Sequence, residues 1–103
     1  MNKSERYLAY WYGKYNRLYF DSPLPDAKIW WEPISGTYAD CQLVDGIWRV
    51  RLNPSLSGWP QMMKLTLLHE LVHIKLHPYQ KHGKRFNDEM RRLAGRGAFD
   101  KLW

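Results

Sequence analysis

The chain has 103 residues and one cysteine, Cys41, which excludes a disulfide framework and a cysteine-rich zinc site. Hydrophobic residues make up 45%, with six tryptophans and seven tyrosines, so we expect one domain over residues 1–103 with a largely aromatic core. The formal charge of +6 is uneven: residues 75–103 hold eight Lys or Arg against three acids, and residues 1–74 hold eight against seven.

Residues 4–20 read as a helix, because Leu8, Trp11, Tyr12, Tyr15, Leu18 and Tyr19 recur at steps of three and four. Asn2 and Glu5 have capping-box spacing at its start, and Pro23 and Pro25 stop it. Residues 27–31 read as a short strand. Asp45-Gly46 then marks a two-residue hairpin turn, since both central positions need positive φ. Centred there, one register pairs Leu43 with Trp48, Cys41 with Val50 and Ala39 with Leu52 on an apolar face. The other face pairs Gln42 with Arg49 and Asp40 with Arg51. A one-residue slip would spoil both faces. Asn53-Pro54 and residues 55–59 read as a loop. Pro60 opens a helix that runs to about His77 and is closed by Pro78. Its middle, Leu65 to Leu76, is apolar nearly all round, which predicts a central, buried position. Residues 83–94 read as a third helix with Phe86, Met90 and Leu93 inward, ended by Gly95 and Gly97.

The central helix carries His69-Glu70-Leu71-Val72-His73. Residues four apart share one helical face, so the two imidazoles can converge on one zinc ion. Glu70 lies about 100° around the helix from His69, where it can act on water at the metal without being a ligand. Burying two histidines and a carboxylate in an apolar helix costs several kcal/mol without partners, and a metal offsets that cost. A catalytic site needs a third protein ligand. His77 continues the four-residue series but stacks in a row with the other two. His82 follows the chain reversal at Pro78-Tyr79 and can approach from another direction, with Phe86 packing beneath it. Glu89 is the carboxylate alternative. His82 fits best.

These residues resemble the SprT-like metalloprotease family. That family couples an HExxH helix to a downstream His-Gly-x-x-Phe, matched by His82-Gly83-Lys84-Arg85-Phe86. Its upstream Tyr-Phe…Leu-Pro signature is matched by Tyr19-Phe20 and Leu24-Pro25, and its strand into Asn-Pro by Arg51 to Pro54. The resemblance covers roughly residues 10–94. It implies an α+β, minimal zincin-like metalloprotease fold, a small antiparallel-containing sheet packed on three helices. It also implies Zn2+ held by His69, His73 and His82, Glu70 as catalytic base, and cleavage of peptide bonds. Members related to the Spartan protease digest proteins crosslinked to DNA. With one cysteine, this chain carries none of the cysteine-rich zinc ribbon that many members have after the protease domain.

The expected reaction is metal-assisted hydrolysis of a protein or peptide substrate, with Tyr79, Tyr38 or Arg85 as further oxyanion donor. The basic segment 75–103 suits weak, sequence-independent contact with single-stranded DNA, with Lys84, Arg85, Arg91 and Arg92 directed to solvent and exposed Trp59 or Trp103 stacking on bases. The same charge also suits a plain solvated face. The alternatives are a nucleic-acid-binding module with structural zinc, which leaves Glu70 unexplained, and a zincin-fold regulator that cleaves nothing. No apolar run has the length of a signal-peptide core or membrane span, and the cysteine usage fits the cytoplasm, so no membrane partner is expected.

Overall fold

A computed structural model describes residues 2–79 and 82–102. Helix α1 spans Lys3–Tyr19. The Asn2 side chain caps it, accepting the Glu5 N–H at 2.8 Å. Leu8, Tyr12 and Tyr15 are buried, and Trp11 and Tyr19 pack partly against the core. Leu18, expected on this face, is 48% exposed. It lies at the margin of the stripe, where the helix turns it away from the core. Beyond α1 the Asn16 side chain grips Leu24 twice, donating to its carbonyl and accepting its N–H. That clamp buries Leu24 and sends the chain back toward the sheet.

The sheet has three strands, β1 Ala27–Trp31, β2 Ala39–Val44 and β3 Ile47–Leu52, in the order β1-β3-β2. β1 runs parallel to β3 and β2 antiparallel to it, so the fold is α+β with a mixed sheet. The hairpin register is the expected one, from Ala39 opposite Leu52 to Leu43 opposite Trp48. Asp45 and Gly46 turn it at φ 50° and 77°. Trp48, Val50 and Leu52 are buried, whereas Leu43, near the hairpin end of the edge strand, is exposed. On the outer face Arg51 pairs with Asp40 across the strands and also with Glu32.

Residues expected as a plain loop form a 3-10 helix, Pro54–Gly58. The Asn53 side chain accepts the Ser55 N–H at 3.1 Å, and Leu56 turns into the core. A side chain that offers the backbone a hydrogen bond orders this short segment. Helix α2, Pro60–Leu76, lies against the inner face of the sheet with Leu67, Leu68, Leu71 and Val72 fully buried. Helix α3, Lys84–Gly95, docks on α2 through Phe86 and Leu93. Gly95 is still helical; the stop is Gly97 at φ 84°. There the Ala98 N–H reaches the Leu93 carbonyl at 3.0 Å and the Gly97 N–H reaches Ala94 at 3.1 Å. Among the described residues no helix is long and apolar enough to cross a membrane.

Candidate metal centre

His69 and His73 project from α2 one turn apart, and His82 comes from the segment leading into α3. Their Nε2 atoms lie 3.1, 3.2 and 2.9 Å from one another. Each Nε2 has one in-plane direction, occupied by either a proton or a lone pair. Three such directions aimed at one point cannot satisfy each other by hydrogen bonds, but a cation there satisfies all three. Ligands 2.0–2.1 Å from tetrahedral zinc stand about 3.3 Å apart, close to the spacing seen. The donor set therefore fits a metal ion. Burial, then the neighbouring imidazoles, lowers the His69 pKa to about 4, and burial and His82 lower that of His73. Both rings thus stay neutral with lone pairs available.

Phe86 forms the floor. Its ring centroid is 4.8, 5.0 and 4.6 Å from those of His69, His73 and His82. The His-Gly-x-x-Phe spacing places it there, since Phe86 sits on the first turn of α3 as that helix docks on α2.

His77 stands apart from this cluster. Its ring meets the Trp48 indole edge-on at 5.1 Å, because α2 ends at Leu76 and His77 leaves the helical path. Glu89, the carboxylate alternative, is buried elsewhere and accepts hydrogen bonds from Lys75 at 2.8 Å and Arg92 at 2.9 and 2.6 Å. That pairing also corrects the expectation for Arg92. It turns inward, bonding Glu89 and the Tyr19 carbonyl rather than pointing to solvent. Trp103 lies outside the described residues.

Glu70 is 5% exposed and lies beside the histidines. Burial raises its pKa to about 7, against a smaller lowering by a hydrogen bond with the Cys41 thiol. Cys41 is itself pushed up by burial and by the Glu70 carboxylate, so it stays a thiol. This neighbour was missed in the sequence reading. The hairpin register places Cys41 on the sheet face that α2 covers, and that was the available signal.

The histidines and Glu70 open into a cleft of about 650 Å³. One wall is the stretch Thr37 to Cys41, including the start of edge strand β2; the other is Met62, Leu65 and Thr66 of α2. Of the three expected oxyanion donors, Tyr38 lines this cleft. Tyr79 instead lies under the Arg85 guanidinium, 3.7 Å from its ring centroid, and the two hold each other.

A family model described as the SprT-like family matches residues 8–100. No curated protein and no solved structure matches the chain. The family match runs from within α1 through the end of α3 and takes in all three clustered histidines, and the chain belongs to the SprT-like family.

Proposed function

We infer that the protein is a zinc-dependent metalloendopeptidase in which His69, His73 and His82 hold zinc and Glu70 transfers the proton. The observation that carries this reading is the convergence of three imidazole nitrogens beside a buried carboxyl, on an open cleft. Three donors with one side left to the cleft suit a catalytic zinc site rather than a closed structural one. Held by His69, His73 and His82, zinc would supply polarisation of a peptide carbonyl and stabilisation of the charge that develops on its oxygen.

Glu70 accepts a proton from the attacking water and delivers it to the departing amine. Its carboxyl is buried beside the three histidines at the cleft, where it can take that proton and pass it on. β2 has no strand on its outer edge among the described residues, so its N–H and C=O groups can align an extended substrate chain. A structural-zinc module would have no use for Glu70 or the cleft.

The test compares zinc-loaded wild type with Glu70→Gln on an unfolded protein substrate. Wild type should cleave it. Glu70→Gln should keep fold and zinc while losing activity by about 10²-fold or more. Loss of zinc from the variant would make Glu70 a ligand or structural anchor and defeat this assignment.

A further inference from the structure

Two large aromatic side chains, Tyr38 and Trp59, are each 48% exposed and meet edge to face with ring centroids 6.5 Å apart. The exposed half of each ring contributes nothing to the fold, while covering it gains about 25 cal/mol per Å² of apolar surface. Both sit on anchored backbone. The Tyr38 carbonyl accepts the Asn53 N–H at 2.8 Å; the Trp59 N–H donates to Leu56 and its carbonyl accepts from Met63, both at 3.0 Å. The pair is thus held ready rather than loose, and aromatic rings lose little freedom on contact.

Of the pair, Tyr38 lines the cleft, and Trp59 caps the start of α2 beside it. Met62, Leu65, Thr66, His69 and His73 recur along one face of α2 and line the cleft as a row. Met62 is the member of this row nearest the start of α2, and Trp59 caps that start, so its contact with Tyr38 puts the pair at the end away from His73. Seven helical residues from His69 back to Met62 cover roughly 10 Å, about three residues of extended chain. Between Met62 and His69 the helix contributes Leu65 and Thr66, which carry no charge, and the Asp40 carboxylate on the facing wall is already paired with Arg51.

We propose that Tyr38 and Trp59 form a specificity-determining subsite that takes one large apolar or aromatic side chain of the substrate. That side chain lies about three residues from the scissile bond, on one side of it. Such side chains are buried in folded proteins and exposed in unfolded ones, so the substrate class is an unfolded or locally opened polypeptide. The proposal rests on the protease reading above.

Zinc-loaded wild type is incubated with a peptide digest of a denatured proteome, and cut sites are read by mass spectrometry. Phe, Tyr, Trp, Leu or Met should be enriched at one position, about two to four residues from the cut and on one side only. Synthetic peptides with Phe or Ala at that position should differ about tenfold in kcat/KM. The difference should collapse in Trp59→Ala and in Tyr38→Ala and persist in Trp59→Phe. Tyr38→Phe keeps the ring, so it should keep the preference. No fixed-position enrichment, or a preference that survives both alanine variants, overturns the subsite while leaving the protease reading intact. If wild type cuts nothing, the protease reading fails, and the subsite is judged by binding. Zinc-loaded Glu70→Gln is then titrated calorimetrically with an extended peptide bearing a central Phe or Ala. Tighter binding of the Phe peptide that Trp59→Ala abolishes supports the subsite; equal binding overturns it.

Discussion

His77 lies one turn beyond His73 in sequence, yet its ring meets Trp48, whereas His82, nine residues past His73, closes the cluster with its Nε2 at 2.9 and 3.2 Å from the other two. Removing the hydrogen-bond partner of a metal ligand typically costs 10–100-fold in affinity. Removing a ligand itself should cost more, so His82→Ala should weaken zinc binding by over about 100-fold. His77→Ala should leave it nearly intact. Competition against a chromogenic chelator reads both, and the reverse ranking would remove His82 from the ligand set. The sequence carried this much because ligand spacing is local: four residues on a helix, and one turn before the next. It did not carry the contacts made across elements. Phe86 reaching all three imidazoles and Cys41 reaching Glu70 depend on how α3 and β2 dock on α2. So does Glu89, a free carboxylate in the sequence but neutralised in the fold by Lys75 of α2 and Arg92 of α3.

That pairing is a polar link between α2, α3 and the end of α1, since Arg92 also holds the Tyr19 carbonyl at 2.7 Å. Removing Glu89 strands two cations, one of them mostly buried. Glu89→Ala should cost roughly 3 kcal/mol, the lower end for a broken buried pair, because Lys75 can swing to water. For the pH dependence, burial alone would raise the Glu89 pKa, but the bonds from Arg92 and Lys75 outweigh it and hold it below its ordinary value. The folded pKa is thus lower than the unfolded one. The stabilisation is complete above the unfolded value, near 4.5, and is lost as pH falls through the folded one. Urea midpoints of chelator-treated wild type and Glu89→Gln should differ clearly at neutral pH and converge in acid. A constant gap would mean that the pair contributes packing rather than charge. At this scale the strands and helices were legible because period and punctuation agree, most clearly in the Asp45-Gly46 hairpin. The Pro54–Gly58 turn was not, because its cap is a side-chain bond from Asn53 rather than a periodic pattern. Parallel pairing of β1 with β3 leaves no local signal at all.

Over the whole molecule the net charge of +6 stands, but the fold redistributes what it offers a partner. Arg92 is committed to Glu89, and Arg96 to Asp21 at 2.9 Å and the Leu18 carbonyl at 3.1 Å. On α3, Lys84 and Arg91 share Asp88 at 2.6 and 3.5 Å, and Arg85 lies on Tyr79. Lys84, Arg85 and Arg91 remain exposed, on the helix that follows His82. A surface pair with Asp88 contributes little and yields readily to a phosphate. We therefore retain the proposal of weak, sequence-independent binding to single-stranded DNA, now resting on these three side chains. Arg92 does not belong in its test, because reversing that charge would break the Glu89 link and confuse unfolding with lost binding. Arg85→Glu/Arg91→Glu changes exposed positions only. Gel-shift titrations at about 50 and 200 mM salt should show affinity falling roughly twentyfold, as three released counterions require. The double variant should bind less at the lower salt, with a melting temperature lowered only slightly by loss of the exposed Arg85–Tyr79 stack. If wild type binds no DNA even at low salt, or if the variant binds as wild type does, the basic segment is a solvated face and the substrate cleft is left as the proposed binding surface.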